Sequence, residues 1–279
     1  MIKLAGVVVL YHPDQKLIGN IKTYMKDLDV LYAIDNSDQK NNVLVQELKS
    51  IQRVVYLDNK GNRGIAHAQN RAAKLAISKN YEWLLTMDQD SYASDDMVSI
   101  LRSYLENHDT SSLGIISAFH KNSLEKGNKS LQEFEQVIKV MSSGNIINLK
   151  AFQEVGGFEE KLFIDMVDFE YCLRLNKAGY KIIVANKAIL HHKLGTIKMI
   201  DNMLMISHNP ARYYYYVRNE LYMEKKYKDD FPVWLVDRHN YCVKRYIRTL
   251  LYEKHKGKTL YYMIRGYIDY KRSHYGKLK

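Results

Sequence analysis

The chain has 279 residues, 46% of them hydrophobic and 26% charged, which suffices for one large domain with an appendage or for two small domains and excludes a disordered chain. No run of about 18 apolar residues occurs, so we expect no transmembrane helix, and the apolar N-terminus is too short for a secretory signal peptide. We therefore expect a cytoplasmic protein.

The formal charge of +11 is unevenly distributed along the chain. From Ala211 to Lys279 there are 17 Lys and Arg residues against seven Asp and Glu residues, and this segment holds 14 of the 23 tyrosines. A basic, tyrosine-rich tail of this kind indicates contact with an anionic partner, either a membrane surface or nucleic acid. Packing or oligomerisation of the tail, such as formation of a homodimer, is the alternative interpretation.

Short apolar runs alternate with helical patterns over the first 90 residues. The apolar runs predict strands at Leu4–Leu10, Leu31–Ile34, Val54–Leu57 and Trp83–Met87. The intervening spacing predicts helices at Leu17–Lys26, Asn42–Ser50 and Gly64–Lys79. This alternation is typical of βαβ units, and it predicts an α/β fold with a mostly parallel central sheet flanked by helices.

After Asp90 the alternation is less regular. Apolar runs indicate strands at Leu113–Phe119, Val137–Met141 and Lys181–Ala185, and a helix lies within Phe163–Ala178. Past Leu190 the sequence is helical, aromatic and basic to its end. We therefore divide the chain into a sheet domain over residues 1–205 and a C-terminal helical extension over residues 206–279.

Polar side chains follow each of the first four predicted strands. They are Tyr11 and His12, Asp35 and Asn36, Asp58 and Asn59, and Asp88 and Asp90. Ligands of parallel sheets collect at the carboxyl ends of the strands. We therefore expect these side chains, which are of types that recognise nucleotides or bind metals, to lie along one edge.

Asp88 and Asp90 are separated by one residue and directly follow a buried strand. Mg²⁺ and Mn²⁺ prefer oxygen ligands and often bind one or two carboxylates together with substrate phosphates. The pair therefore predicts a divalent metal site that neutralises charge on a departing nucleotide diphosphate. A solvated acidic turn or a helix cap is the alternative interpretation.

The segment Asp58–Asn70 has the pattern of a strand end, a glycine turn and a helix start. Glycine lets the backbone approach a ligand closely, and a helix N-terminus favours anionic groups. Asn62 and Gly64 are therefore candidate nucleotide contacts, although an ordinary βα turn has the same pattern. The segment matches neither a Walker A loop nor GxGxxG.

Three acidic residues, Asp165, Asp168 and Glu170, lie at a predicted loop-to-helix junction. Acids at a helix start often only complement the helix dipole. The functional interpretation is a general base toward an acceptor hydroxyl, and we select Asp168 for it. Further along, His191 and His192 follow a strand-like run; His192 is our candidate to complete a metal site begun by Asp90, with a structural histidine as the alternative.

Taken in order, these segments resemble family 2 glycosyltransferases of the GT-A fold, and among them the bacterial rhamnosyltransferases. The resemblance covers about residues 3–220. Its segments are Val7–Pro13, Asp35–Ser37, Asn59–Asn70, Asp88–Asp90, Ser143–Asn145, Gly156–Phe158, Phe163–Arg174, His192–Gly195 and Pro210–Asn219. His12 departs from the Asn of many relatives, and Val167 stands where many have Glu, a variant typical of rhamnosyltransferases.

The resemblance implies a Rossmann-like GT-A domain that transfers a sugar, with inversion, from a nucleotide diphosphate to an acceptor hydroxyl. Asp168 would be the catalytic base, and Mg²⁺ or Mn²⁺ would be held by Asp88, Asp90 and His192. The nucleotide would be bound by Tyr11, Asp35, Asn62, Gly64 and Asp88. The donor or acceptor sugar would face Asn145, Asp165 and Glu170.

The rhamnosyltransferase subgroup implies dTDP-L-rhamnose as donor and a lipid-linked cell-surface polysaccharide as acceptor, with the basic tail at the inner face of the cell membrane. A UDP-hexose donor on the same fold stays open. A nucleic-acid-binding protein is the reading from another class, but no recognised binding motif accompanies the tail. A nucleotidyltransferase would need a basic, glycine-rich phosphate loop that residues 6–20 do not offer.

Overall fold

The structure is a computed structural model that describes residues 2–121, 132–191, 197–200, 203–206, 209–252 and 255–279. The chain divides into two compact units. The first consists of Met1–Glu160 and Asp168–Lys193, and the second of Lys161–Val167 and Leu194–Lys279. None of the described helices is both long enough and apolar enough to cross a membrane.

The first unit begins with regular alternation of strands and helices. In order, these are β1 (Leu4–Leu10), α1 (Lys16–Met25), β2 (Val30–Asp35), α2 (Asn42–Ser50), β3 (Val54–Asp58), α3 (Ile65–Ser78) and β4 (Trp83–Asp88). Every one of these elements was predicted, with ends that agree to within a residue. Local periodicity sufficed here because β1, β2 and β4 are almost fully buried and each helix has one apolar face.

The remainder of this unit is less regular. It contains β5 (Tyr92–Ala93), α4 (Met97–Asn107), β6 (Leu113–Lys121), β7 (Phe134–Val137), β8 (Asn145–Asn148), α5 (Leu149–Val155), α6 (Val167–Lys177) and β9 (Lys181–His191). A short 3-10 helix spans Glu160–Leu162.

The prediction of a strand at Val137–Met141 is wrong, because β7 ends at Val137 and β8 starts only at Asn145. Side chains of α6 bind the backbone of the intervening segment instead of a neighbouring strand. Asn176 Nδ2 donates to the carbonyl of Ile138 at 2.9 Å, and Cys172 Sγ donates to that of Val140 at 3.8 Å. An apolar run therefore packs here without strand pairing.

The central sheet has the order β3-β2-β1-β4-β8-β6-β9-β5, and β7 pairs with β9. Parallel pairing, predicted for most of the sheet, holds from β3 to β4 and between β6 and β9. The pairs β4–β8, β6–β8, β5–β9 and β7–β9 are antiparallel. The α/β class with flanking helices is confirmed, and the sheet is mixed because regular βα crossovers end at β4.

The sheet and its helices share one apolar core. Buried side chains of α1, α2 and α4, among them Ile21, Leu48 and Leu101, pack with those of β1 and β4. Strand β1 is nearly inaccessible along its whole length. This burial fixes the strand positions, and therefore the positions of their carboxyl ends.

The second unit is mainly helical, as predicted for the C-terminal extension. It contains α7 (Arg212–Tyr227), α8 (Pro232–Tyr252) and α9 (Lys256–Lys271). An antiparallel pair, β10 (Ile197–Ile200) and β11 (Met203–Ile206), precedes them. The prediction of helix from residue 190 onward missed this pair, because strands of four residues carry too few alternations to be recognised.

Gly266 of α9 lies directly against the backbone of Tyr214 in α7, which gives a stability prediction. A Cβ added at Gly266 would overlap the carbonyl oxygen of Tyr214, whereas a Cβ at Gly257 of the same helix would meet no atom within 4 Å. We expect Gly266→Ala to lower the free energy of unfolding by about 1–3 kcal/mol through overpacking. Gly257→Ala is the control and should be neutral or stabilising by up to about 1 kcal/mol. Thermal unfolding of both variants checks this; equal effects would contradict the packing.

Candidate active site

The carboxyl ends of the four parallel strands bring three aspartates to one edge of the sheet. In the strand register, Leu10 lies beside Asp35, Asp35 lies beside Asp58, and Val9 lies beside Asp88. Because neighbouring strands are about 4.8 Å apart, Asp35 and Asp88 are separated by about 10 Å across β1. The three aspartates therefore lie along one edge of the sheet, as predicted from the sequence. The separation of Asp35 and Asp88 is enough to accommodate a small ligand.

Gln89 attaches the Asp88–Asp90 loop to the end of β1. The backbone N–H of Tyr11 donates to Gln89 Oε1 at 2.8 Å, and Gln89 Nε2 donates to the carbonyl of Tyr11 at 3.1 Å. Asn20 of α1 donates to the carbonyl of Gln89 at 2.9 Å. Gln89, the residue between the two aspartates, therefore fixes the loop to the end of β1 and to α1.

A turn at Ser142–Gly144 supports the same loop from the other side. Ser143 Oγ accepts the backbone N–H of Asp88 at 3.0 Å and donates to Ser91 Oγ at 3.0 Å. The N–H of Gly144 donates to the carbonyl of Thr86 at 2.8 Å. Gly144 has φ +74°, and a Cβ there would lie 3.0 Å from Leu190, so the turn requires glycine. The end of β4 is therefore fixed by hydrogen bonds outside the strand ladder.

Asp35 is buried at the end of β2 and is held by protein donors. Its Oδ1 accepts the N–H of Ser37 at 2.8 Å, and its Oδ2 accepts the hydroxyl of Tyr56 at 2.7 Å. Burial, and then the hydrogen bond to Asp35, raise the pKa of Tyr56, which keeps the phenol protonated as a donor. A carboxylate oxygen accepts two hydrogen bonds, so Asp35 retains capacity for a further donor.

A chain of buried amides joins β2, β3 and α3. Asn36 Nδ2 donates to the carbonyl of Gly64 at 3.0 Å, and Asn59 Nδ2 donates to Asn36 Oδ1 at 2.8 Å. Arg71 donates to Asn59 Oδ1 at 2.5 Å. Asn36 and Asn59 were expected at this edge because each directly follows a strand, but their hydrogen bonds to each other and to Arg71, which had no predicted role, were not foreseen.

The glycine turn before α3 has the predicted form. Asn62 Oδ1 accepts the N–H of Gly64 at 3.0 Å. Gly64 is the N-cap of α3. It adopts φ +87° and ψ 161°, a conformation that residues other than glycine rarely adopt. The N-terminus of α3 therefore lies close to the end of β3, with Asn62 and Gly64 at this edge.

Asp168 lies in the first turn of α6, close to the end of β4. Its Oδ1 accepts the N–H of Phe169 at 2.9 Å. Asp168 lines a cavity of about 10 Å³ together with Thr86, Ser142, Asn145 and Tyr171. Thr86 is two residues before Asp88, and Ser142 adjoins the serine that binds Asp88. The predicted base is thus in the neighbourhood of the aspartate pair.

Asn145 and Glu170, predicted to face a sugar, are both buried. Asn145 Nδ2 donates to the carbonyl of Met141 at 2.6 Å. Glu170 has no exposed surface, and Arg174 binds both of its oxygens at 2.7–3.2 Å. Arg174 in turn donates to the carbonyls of Val155 and Gly157. In this structure Glu170 therefore fastens α6 to the turn after α5 and does not face a ligand.

Asp165 belongs to the second unit, where it forms an ion pair. Arg212 Nη2 donates to Asp165 Oδ1 at 2.7 Å, and Arg212 Nε donates to Oδ2 at 3.0 Å. Asn219 donates to the carbonyls of Leu162, Ile164 and Asp165. Asp165 thus has a partner inside its own unit, which the sequence analysis did not foresee because Arg212 is 47 residues away.

The predicted metal ligands are described only in part. Asp88 is half-buried and Asp90 is exposed, and both supply carboxylate oxygens suited to a hard cation. His192 lies outside the described residues. Its neighbour His191 pairs with Tyr92 in the sheet and stacks on its ring at 4.6 Å. Over the described ranges no group of three or more His, Cys, Asp or Glu side chains has metal-binding geometry.

A cavity of about 320 Å³ adjoins the Asp88–Asp90 loop. Its lining includes His12, Lys16, Asn20, Asp90 and Tyr92. Tyr11, a predicted nucleotide contact, directly precedes His12 in the chain and is 46% exposed. The ends of β1 and β4 therefore border a space that is lined by both cationic and anionic side chains.

The sequence profile described as "Glycosyl transferase family 2" matches residues 15–159, more than half of the chain. The chain belongs to glycosyl transferase family 2. It is therefore a glycosyltransferase, and the resemblance stated from the motifs is confirmed. The match includes β2 to β4, and thus Asp35, Asn62, Gly64, Asp88 and Asp90.

Relatives of this family 2 glycosyltransferase agree with the motif-based resemblance. The dTDP-rhamnosyl transferase RfbF of Shigella flexneri is 28% identical over 238 residues, 79% of each chain. S. aureus TarS 1–349, solved with UDP-GlcNAc, has a TM-score of 0.65 at 15% identity, over 98% of this chain and 81% of that one.

A second solved structure has the same fold. GalNAc-T7 with UDP, GalNAc and Mn²⁺ has a TM-score of 0.63 at 14% identity, over 99% of this chain and 58% of that one. The chain covers 43% of the longer TarS structure. At these identities the solved structures bear on the fold alone, and the GT-A fold is confirmed.

Ser143 gives a prediction about the rigidity of the site. Ser143→Ala removes the acceptor of the Asp88 N–H, and an unpaired, partly buried donor costs about 1–3 kcal/mol of unfolding free energy. The matched control is Ser99→Ala, since Ser99 makes an exposed hydrogen bond to the carbonyl of Asp96 in α4; its effect should be within about 0.5 kcal/mol. Urea unfolding of both variants measures the difference. Equal stability would show that the turn does not support the loop.

Proposed function

We propose that this chain is an inverting glycosyltransferase that uses a nucleotide-sugar donor, with dTDP-L-rhamnose as the preferred donor. The observation that carries the proposal is the placement of Asp35, Asp88 and Asp90 at one sheet edge, with Asp168 lining the cavity beneath β4. The relationship to RfbF, named a dTDP-rhamnosyl transferase, supports thymidine and rhamnose as the donor parts.

The donor's diphosphate would lie along the edge between the α3 N-terminus and the Asp88–Asp90 loop. Backbone N–H groups at a helix N-terminus favour anionic groups. Asp35 would accept a hydrogen bond from the pyrimidine N–H, since the carboxylate can take a further donor beside Ser37 and Tyr56. Tyr11 is exposed at the neighbouring strand end and would contact the base or ribose.

Asp88 and Asp90 suit a divalent cation because both are carboxylates on a loop anchored by Gln89 and Ser143. With His192 as a third ligand, they would hold Mg²⁺ or Mn²⁺. The bound cation supplies neutralisation of the negative charge on the leaving diphosphate. The Mn²⁺ present in the GalNAc-T7 structure supports a divalent cation in this fold.

Asp168 would act as the general base. It would take the proton of the acceptor hydroxyl while that oxygen forms a bond to the anomeric carbon, and the bond from this carbon to the diphosphate oxygen breaks on the opposite face. The position of Asp168 in the first turn of α6 favours its ionised form through the helix dipole. The two buried or ion-paired acids, Glu170 and Asp165, would fix the surrounding backbone.

The acceptor would be a glycan hydroxyl, and a lipid-linked polysaccharide precursor at the inner face of the cell membrane is the acceptor that we propose. The basic C-terminal extension supports an anionic, membrane-bound setting. The alternative is a UDP-hexose donor, which the TarS complex with UDP-GlcNAc supports.

The first prediction concerns the base. Asp168→Asn should lower the rate of sugar transfer by about 100-fold or more, because general bases contribute about 10²–10⁴-fold. The affinity for dTDP with Mn²⁺, measured by calorimetry, should stay within about threefold. Asp229→Asn, an exposed aspartate with no predicted role, is the control. Full transfer by the Asp168 variant would remove this residue from the mechanism.

The second prediction concerns donor and cation. Among dTDP-, UDP- and GDP-sugars, dTDP-L-rhamnose with Mn²⁺ or Mg²⁺ should give the largest increase in melting temperature, since a ligand at 100 times its Kd stabilises by about 2.7 kcal/mol. Chelation of the cation, or Asp90→Ala, should remove most of this increase. A UDP-sugar that stabilises more strongly would replace the thymidine donor, and stabilisation that ignores chelation would contradict the metal site.

A further inference from the structure

Helices α8 and α9 each expose an apolar face in the part of the chain that the structure describes. On α8 the exposed apolar side chains that share one face are Val233, Val236, Val243, Ile247 and Leu251, and Tyr241 is exposed away from that face. On α9 they are Leu260, Tyr261, Ile264, Tyr267 and Ile268. Their exposure ranges from 39% for Ile268 to 76% for Val233. We refer to these two sets together as the outer apolar face.

The outer apolar face of α8 is distinct from the face that packs inside the unit. Leu235, Cys242 and Thr249 are buried at intervals of seven residues. Thr249 hydrogen-bonds Tyr213 of α7 at 2.9 Å, and Cys242 hydrogen-bonds Glu220 of α7 at 2.9 Å. At about 100° per residue, the exposed set is centred about 140° around the helix from this packed face. The helix is therefore apolar on two opposite sides.

Helix α9 repeats this arrangement. Thr259 and Gly266 are buried seven residues apart, and Gly266 contacts the backbone of Tyr214 in α7. Tyr261, Ile264 and Ile268 lie about 150–170° around the helix from this packed side, and Leu260 and Tyr267 lie about 90–110° from it. Single exposed apolar side chains are normal, but extended apolar faces mark sites of interaction. Two such faces in one unit indicate a partner with an apolar surface.

The positive charge of residues 232–279 favours an anionic membrane over a second copy of the chain. From Pro232 to Lys279 there are 12 Lys and Arg residues against three Asp and Glu residues. Lys244 and Arg248 are exposed on α8, and Lys258 and Lys271 are exposed on α9. A second copy would bring two surfaces of the same strong positive charge together, whereas an anionic bilayer supplies both an apolar interior and the opposite charge.

We propose that the outer apolar face of α8 and α9 binds the surface of a membrane rich in anionic phospholipid. Helices lying in the interface bury an apolar side among the acyl chains while basic residues contact the headgroups. Tyrosines such as Tyr261 and Tyr267 are typical at this depth, since the ring is apolar and the hydroxyl stays hydrated. In combination with the proposed function, on which this part rests, such binding brings the enzyme to a lipid-linked acceptor.

Co-flotation with vesicles tests the proposal on the full-length chain. Vesicles of phosphatidylcholine mixed with phosphatidylglycerol should bind the protein, and vesicles of phosphatidylcholine alone should bind it at least about tenfold less, because each basic residue gains from an anionic surface. Binding should fall further in about 1 M NaCl, where the Debye length is about 3 Å. Equal binding to both vesicles, or binding to neither, would overturn the proposal.

The double variant Ile247→Asp/Ile264→Asp tests the outer apolar face itself. Both positions are more than half exposed, so the fold should be kept, and vesicle binding should fall by about tenfold or more because two large apolar side chains no longer enter the bilayer. Val43→Asp is the matched control, since Val43 is 74% exposed on α2 in the other unit. The control should bind vesicles like the unmodified chain.

Sedimentation of the same proteins without lipid tests whether a second copy of the chain, instead of a membrane, covers the outer apolar face. The proposal expects no self-association that depends on Ile247 and Ile264. A dimer that the double variant abolishes, together with absent vesicle binding, would assign the face to a second copy. Stabilisation of each variant by dTDP with Mn²⁺ is measured in parallel and should be unchanged. Loss of nucleotide binding in all variants would contradict the proposed function while leaving the vesicle result interpretable.

Discussion

The parallel register of β3, β2, β1 and β4 is the constraint on which the candidate site depends. Side chains alternate between the two faces of a strand, so a slip of one residue would move Asp35 or Asp88 to the other side of the sheet. Burial of β1 on both faces makes such a slip costly, because its apolar residues would lose their core contacts. The edge can therefore hold polar groups in fixed positions only because the strands behind it are apolar.

Hydrogen bonds between side chains and backbone fix the loops that follow the aligned strand ends. Gln89 ties the aspartate loop to Tyr11, and Ser143 ties it to the turn that precedes β8. Ser37 Oγ accepts the N–H of His12 at 2.7 Å and joins the ends of β1 and β2 in the same way. A site that must hold anionic ligands gains from such neutral anchors, because they fix the loops without consuming the charged groups.

Four of the acidic residues singled out from the sequence differ in their surroundings. Glu170 is fully buried and both of its oxygens are bound by Arg174, and Asp165 is paired with Arg212 in the second unit. The Glu170–Arg174 pair is largely buried, so removing either partner should be strongly destabilising, whereas Arg212 is 40% exposed in its pair with Asp165. Asp90 is exposed on a loop, and Asp168 lies in the first turn of a helix. We expect this difference in surroundings, more than the residue type, to separate structural carboxylates from catalytic ones.

Several features that depend on residues close together in the sequence were predicted, and several that depend on distant residues were not. Strand β1 and helix α2 were predicted to their end residues because their periodicity is local. Strand β8 was not predicted, since its pairing with β4 and β6 involves distant residues. Neither the ion pair of Glu170 with Arg174 nor that of Asp165 with Arg212 was predicted; only the first, four residues apart on one helix, has a spacing that the sequence alone could have indicated. Motif order pointed to the candidate site, and the coordinates added which of its side chains are held by partners within the protein.

A crystal structure of the chain with dTDP and Mn²⁺ would show whether nucleotide and cation bind at this sheet edge. We predict an anomalous-scattering peak for Mn²⁺ between Asp90 and the diphosphate, the thymine ring against Asp35, and Asp168 within reach of the space beyond the β-phosphate. A nucleotide bound elsewhere on the molecule, or a cation coordinated away from Asp88 and Asp90, would contradict it.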